Sequence, residues 1–217
     1  MRYALFADVH GDTAALAAVL RAAARCRPDA VLGLGDLLEC KVSKRDTGFV
    51  LRHPDQVVDV DPDLLRLLGP VRLLRGNQEE RISALVPAER LPPGLRPLLT
   101  APQWHRSAAA WYCHGHQLPW SQPEPGRFVP LAAEFGPPLL VHGHHHRDSL
   151  LRLPERCRHW ECTEVVPIEH GRPVRLDPDR RYLVNLGPAR GPEPSWVELD
   201  ERAGTVVHHR TTKERPC

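Results

Sequence analysis

Five short apolar runs, each breaking off at a residue type that binds metal ions, restrict this chain more than any other feature of its sequence. Residues 3–8 close on Asp8, with His10 two positions on. Ala30–Leu34 leads into Gly35-Asp36, residues 71–74 into Gly76-Asn77, residues 108–113 into His114, and residues 139–141 into His142-Gly143-His144-His145-His146. Runs of this length followed by turn residues read as strands. Open α/β sheets bind ligands beyond the carboxyl ends of their strands, so Asp8, His10, Asp36, Asn77, His114, His144 and His146 are placed to converge on one crevice. Oxygen and imidazole donors without thiolate suit Mn²⁺, Fe, Zn²⁺ or Co²⁺. Seven donors are too many for one ion. Two ions about 3.5–4 Å apart, sharing one carboxylate, would use them all.

The remaining pattern alternates helix and strand at first and then turns to strand. Leu16, Val19, Leu20 and Ala23 lie on one helical face, with Asp12 or Thr13 as N-cap. Residues 38–60 lose periodicity and read as an inserted loop or small hairpin. Asp61-Pro62 opens a helix through 64–68, and the proline-rich stretch 87–102 reads as a surface excursion. Beyond residue 149, β-like runs at 150–153, 182–185, 196–199 and 205–208 alternate with turns. No linker composition divides the chain, so residues 1–217 are expected to form a single domain.

Composition excludes several classes. With 29 basic against 27 acidic side chains in 217 residues, nothing indicates bulk attraction to nucleic acid. The longest clean apolar run is about seven residues, against the ~20 that a membrane span needs. Asp8 also interrupts the first run before it could serve in a signal peptide, which makes the cytoplasm the expected compartment. The six cysteines have no CxxC spacing and read as buried thiols. Cys157 and Cys162 around His159 suggest a small zinc site only with a fourth ligand that the sequence does not offer.

The ordered set Asp8-Val9-His10-Gly11, Gly35-Asp36, Gly76-Asn77, His114 and Gly143-His144-His145-His146 resembles the calcineurin-like metallophosphoesterases, whose pattern is DxH, GDxx, GN(H/C)(D/E), H and GHxH. The resemblance extends to about Gly187, where Asn185-Leu186-Gly187-Pro188 looks like a degraded form of the family's Asn-Pro-Gly-Ser turn. Size and opening motif are most similar to the compact bacterial and archaeal phosphodiesterase branch. The resemblance implies an α/β fold, a two-layered mixed β-sandwich flanked by helices. By position it implies that Asp8, His10, Asp36 and His146 hold one metal and Asp36, Asn77, His114 and His144 a second, with Asp36 as the bridge. Two divalent ions are then the cofactors, Mn²⁺ foremost and Fe, Zn²⁺, Co²⁺ or Ni²⁺ as alternatives. The implied reaction is hydrolysis of a phosphodiester, a small phosphoester or nucleotide derivative, by a hydroxide shared between the ions. Oligomeric state is not legible.

Departures from the family pattern shape the alternatives. Gln78 stands where many relatives carry a histidine; an amide cannot deliver a proton at neutral pH but can donate a hydrogen bond to phosphate. That favours good leaving groups and keeps open a hydrolase of dinucleoside polyphosphates. The Asp-Arg-Gly extension of protein Ser/Thr phosphatases is absent after Gly35-Asp36, which lowers that reading. A metal-binding scaffold without catalysis is disfavoured because all seven ligand positions are filled. Asp36, Asn77, Gln78 and His116 are the expected catalytic set, with His116 either a proton donor or a strand-exit residue. Gln78 and His145 are the expected substrate contacts, although His145 could equally face solvent. Glu39 reads as a support for the ligands or a surface charge, and Arg75 as exposed. Trp104, Trp111 and Trp120 read as packing before nucleobase stacking, and His208-His209 as a solvated strand.

Overall fold

The computed structural model describes residues 1–131, 138–153 and 162–213, which leaves Cys157 and His159 outside the described residues. The first apolar run forms β1 (Arg2–Phe6), followed by α1 (Thr13–Arg25). Asp12 is the cap, its carboxylate accepting the Ala15 N–H at 3.1 Å. Then come β2 (Ala30–Leu34), α2 (Pro62–Leu68), β3 (Arg72–Leu74), α3 (Asn77–Leu85) and α4 (Arg96–Leu99). β1, β2 and β3 pair in parallel. From here the described chain is strand: β4 (Trp104–Arg106), β5 (Ala110–Cys113), β6 (Trp120–Glu124), β7 (Arg127–Pro130), β8 (Leu139–His142), β9 (Asp148–Leu153), β10 (Glu164–Val165), β11 (Val174–Arg175), β12 (Arg181–Leu186), β13 (Ser195–Asp200) and β14 (Thr205–Arg210).

These strands build two mixed sheets of six, in the orders β11-β14-β13-β1-β2-β3 and β10-β9-β12-β8-β5-β4, with β6-β7 as a separate hairpin. One face of each sheet meets the other around Leu5, Leu32, Leu34, Tyr112, Val141 and Val184, all fully or almost fully buried. The outer face of the first sheet is covered by the helices, through Leu16 and Val19 of α1, Leu64 and Leu68 of α2, Ile82 of α3 and Leu98 of α4. The fold is thus the α/β two-layered mixed β-sandwich flanked by helices that the sequence implied. Truncating one such core leucine to alanine costs about 2–5 kcal/mol. Among the described residues no helix is long and apolar enough to cross a membrane.

Three expectations change. Residues 87–102 are not a surface excursion: Leu91, Leu95, Leu98 and Leu99 are buried in the helix-side core, because two short helical turns and α4 space these leucines onto one face. Residues 38–60 form the expected inserted loop rather than a hairpin; it carries one helical turn, Pro54–Gln56, and buries Leu38, Val42, Val57 and Val58. Arg75 is half-buried rather than exposed, its guanidinium donating to the Leu99 carbonyl at 3.3 Å. His208 is buried rather than solvated, because its register opposite Val197 turns it inward, where Nε2 donates to the Asn185 carbonyl at 3.1 Å.

Candidate metal centre

The loops that leave β1, β2, β3, β5 and β8 meet at one edge of the sandwich, held there by backbone hydrogen bonds. Asp8 N–H donates to Gly35 O at 3.0 Å, His10 N–H to Asp36 O at 2.9 Å, and Gly143 N–H to His114 O at 2.9 Å. Contacts that cross between the sheets here include His144 N–H to Asp8 Oδ2 at 2.9 Å and His114 Nδ1 to Leu34 O at 2.9 Å. Glycine is required where the Asp36 and Asn77 loops touch. A Cβ on Gly35, whose φ is +89°, would stand 2.5 Å from Gly76 N, and one on Gly76 would collide with the Asp36 carboxylate.

The backbone here is unusual. Asp8, His10, Asp36, His144 and His146 have φ of 58°, 50°, 50°, 73° and 54°, in the left-handed region. Each such residue costs about 1–2 kcal/mol. Conformations of this kind persist where surrounding structure over-determines them, chiefly at functional sites. Among the described residues Arg27 is the one other non-glycine residue with positive φ, so the strain is concentrated on the predicted ligands.

Their side chains converge. Asp8 Oδ1 lies 3.3 Å from His146 Nε2, 3.9 Å from His114 Nε2 and 4.0 Å from His10 Nε2. Asp36 Oδ2 lies 3.3 Å from His114 Nε2 and 3.9 Å from His10 Nε2, and Asn77 Oδ1 lies 3.2 Å from His114 Nε2. Two donor groups result, Asp8 with His10 and His146, and Asp8 with Asp36 and His114. The His144 ring stands beside the second, its centroid 5.1 Å from that of His114. Asp8 belongs to both groups, and Asp36 reaches toward both.

Do these residues suit metal ions? Asp8 Oδ1 is buried without a hydrogen-bond partner, a cost that a cation would remove. The Nδ1 of His114 donates to a carbonyl, leaving Nε2 as the free donor atom, and the Nδ1 of His10 meets the Glu39 carboxylate. Imidazoles oriented in this way are the usual support of metal-binding histidines. Burial works to lower the His114 pKa, but the hydrogen bond and charge of Asp36, joined by Asp8 and Glu79, outweigh it and hold the value up at about 9. The carboxylates thus draw positive charge to this point. The donor set fits.

Glu79 was not singled out from the sequence, yet it holds the site together. Its fully buried carboxylate accepts four backbone N–H bonds: Asp36 and Gly76 at 2.8 Å on Oε2, and Leu37 at 2.8 Å and Leu38 at 3.0 Å on Oε1. Burial, aided by the Asp36 charge, keeps its pKa above the ordinary carboxylate value against the pull of those donors. The signal was present as a Gly-x-x-Glu spacing that places Glu79 at the third position of α3, where it reaches back to the cap N–H.

The other predicted residues are placed as follows. Gln78 donates its backbone N–H to Asp36 Oδ1 at 2.8 Å, while its side-chain oxygen accepts from Cys40 N–H at 3.2 Å and Arg81 at 3.4 Å. His116 lies beside the second donor group, 5.4 Å from His114 between ring centroids, with Nε2 3.0 Å from Glu80 Oε2. Burial lowers its pKa. His145 stacks on Phe128 of β7 at 3.8 Å and meets Trp120 edge-on at 4.5 Å; burial, with His142 next, pushes its pKa down to about 3. Trp104 and Trp111 pack edge to face at 6.0 Å on the other face of the second sheet.

Residues 1–166 match the family model of the calcineurin-like phosphoesterases. The chain belongs to that family. It is therefore a metallophosphoesterase, a hydrolase of phosphate esters. No curated protein matches it. Among solved structures, a metallophosphoesterase from Sphaerobacter thermophilus is 21% identical with a TM-score of 0.64, over 99% of this chain and 90% of that one. A hypothetical protein from Pyrococcus horikoshii OT3 is 12% identical with a TM-score of 0.54, over 99% and 89%. At these identities the likeness shows the fold shared with this phosphoesterase.

Proposed function

We propose that this phosphoesterase is a dimetal phosphodiesterase acting on small nucleotide-derived phosphodiesters, as one domain over residues 1–217 in the cytoplasm. The observation that carries the reading is the buried, unpartnered Asp8 Oδ1 at the junction of two donor groups. Asp8, His10, Asp36 and His146 would hold one ion and Asp36, Asn77, His114 and His144 the other, with Mn²⁺ the foremost candidate. Bound there, two such ions activate water near neutral pH and neutralise charge on a transferring phosphoryl group.

The chain's own residues supply the rest. Asp8 and Asp36 provide the anionic charge, and the Leu34 carbonyl and Glu39 fix which nitrogen of His114 and His10 faces inward. The Glu80 carboxylate lies 3.0 Å from His116 Nε2 beside the site, where an imidazole can pass a proton to a departing alkoxide. His145, braced by Phe128 and Trp120, forms the wall against which the substrate's ester group would lie. Gln78 would contribute its amide N–H₂, because its carbonyl oxygen is already taken by Cys40 and Arg81.

Hydrolysis of bis(p-nitrophenyl) phosphate with added Mn²⁺, and its loss in EDTA, tests the reading. Turnover undiminished in chelator would end it. A second reading, cleavage of phosphoanhydrides such as dinucleoside polyphosphates, is favoured by the amide of Gln78 at a position where an acid would otherwise serve a poor leaving group.

A further inference from the structure

Among the described residues, one group of metal-donor side chains lies apart from the catalytic cluster: Cys26, Glu198 and His209, whose ligand atoms all fall within 4.8 Å of one another. Three elements meet there. Cys26 follows directly on the last turn of α1, Glu198 stands on β13 and His209 on β14. α1 starts at Thr13, just beyond His10, and runs for 13 residues, so about 20 Å of helix separates its Cys26 end from the loop that carries His10.

The three side chains are held in place. His209 pairs with Trp196 in the β13–β14 register, and its ring stacks on the buried indole at 4.0 Å. Its Nε2 is buried without a hydrogen-bond partner. Glu198 Oε2 lies 3.8 Å from that nitrogen, too far for a hydrogen bond. The other oxygen, Oε1, faces Arg2 Nε at 3.4 Å, and Arg2 also donates to the Cys26 carbonyl at 3.3 Å, which joins the end of α1 to Glu198. The side chains of His209 and Glu198 retain only 21% and 19% of their exposure. Burial keeps the imidazole neutral by lowering its pKa. Burial, and next the Glu198 carboxylate, raise the Cys26 pKa, so the sulfur is a thiol until a cation displaces its proton.

We propose that Cys26 Sγ, Glu198 Oε2 and His209 Nε2 form a separate, non-catalytic Zn²⁺ site, with water in the fourth position. A tetrahedral Zn²⁺ at about 2.0–2.3 Å from each donor holds its ligand atoms roughly 3.3–3.8 Å apart, which matches the gap between Glu198 and His209. It also gives the orphaned Nε2 a partner, and a buried polar atom without one calls for an explanation. Thiolate, imidazole and carboxylate together select Zn²⁺, whereas the catalytic cluster offers oxygen and imidazole alone. On binding, the Cys26 S–H bond breaks, its proton passes to solvent and the sulfur–zinc bond forms, with no change of oxidation state. The bound ion ties the end of α1 to β13 and β14, and the stabilisation grows with free Zn²⁺.

The test titrates Co²⁺, which takes zinc sites and is coloured, into chelator-stripped wild type, Cys26→Ser and His209→Phe under a phosphine reductant. A thiolate ligand gives a sulfur-to-Co²⁺ charge-transfer band in the near ultraviolet, and the catalytic donors cannot, because none of them is sulfur. We expect the band in the wild type, together with one Co²⁺ more per chain than Cys26→Ser binds, and no band in Cys26→Ser. His209→Phe keeps a ring on Trp196 and removes the nitrogen, so its band should need roughly 10–100-fold more Co²⁺ or be lost. Melting in EDTA should place both variants close to the wild type, since the metal-free protein uses neither group in a hydrogen bond to a neighbouring element that the substitution must break. A wild type without the band at saturating Co²⁺ would overturn the site. So would a band that survives Cys26→Ser undiminished, which would place the thiolate at another cysteine, or a His209→Phe titration identical to that of the wild type.

Discussion

The buried carboxylate of Glu79 accepts the backbone N–H of Asp36 at 2.8 Å, and with its three other N–H bonds it ties the loop after β2 to the loop after β3. Asp36 sits at a φ of 50°, so something must hold its peptide in place. Gly76 N–H on the same oxygen fixes the neighbouring Asn77 by the same device.

Glu79→Gln should therefore destabilise the protein through the clamp. An amide offers one acceptor atom, and its N–H₂ would face two of the four donors, leaving them buried and unpaired. That costs about 2–4 kcal/mol, a fall in Tm of roughly 5–15 °C for a chain of this size. Thermal melting in EDTA checks it without interference from bound metal. An unchanged Tm would remove Glu79 from this role.

Asp36 and Glu39 should separate in metal analysis. Asp36 Oδ2 reaches both donor groups, whereas Glu39 touches the centre through the far nitrogen of His10. Asp36→Ala should lose most of its metal together with its activity, and Glu39→Ala should weaken metal affinity by about 10–100-fold, recoverable at higher Mn²⁺. Elemental analysis after dialysis, followed by Mn²⁺ titration of activity, measures both. Equal, unrecoverable losses would contradict the bridging role proposed for Asp36.

Proton supply should depend on His116 and not on Gln78. His116→Gln should lower kcat on poor alkyl leaving groups by about 10²–10⁴-fold, while activated aryl diesters change little and metal content stays constant. Glu80→Gln should move the same ratio in the same direction, since Glu80 is the carboxylate that faces His116. Parallel losses on good and poor leaving groups would show that His116 acts structurally.

How much of this was legible in the residues follows from which interactions are local. Strand ends carrying Asp8, His10, Asp36, Asn77 and His114 could be read because an apolar run and the residue that ends it are neighbours in sequence. The caps at Asp12 and Asp61 were legible for the same reason. α3 was not read, since its sequence Asn-Gln-Glu-Glu-Arg-Ile-Ser-Ala-Leu has too few apolar positions to show a helical period. Its buried face is instead Glu79 and Ile82, and the burial of Glu79 depends on N–H groups about 40 residues away. The leucines at 91, 95, 98 and 99 were hidden among prolines that read as loop punctuation.

His208 was the clearest reversal, and it yields a test of pH dependence away from the metal centre. Burial lowers its pKa from 6.5 to about 4, with the Asn185 carbonyl and the Asp148 charge resisting. The folded chain therefore keeps this imidazole neutral through a window in which the unfolded chain protonates it. The associated stability is complete above pH 6.5, falls as pH drops through that value, and levels off below about pH 4. By pH 5 the loss from this group alone is about 2 kcal/mol. His208→Gln, which can still donate to Asn185 O, should show a correspondingly smaller difference between urea unfolding at pH 7.5 and pH 5.0 in EDTA. If the two proteins lose stability in parallel across that window, His208 is not the group that resists protonation.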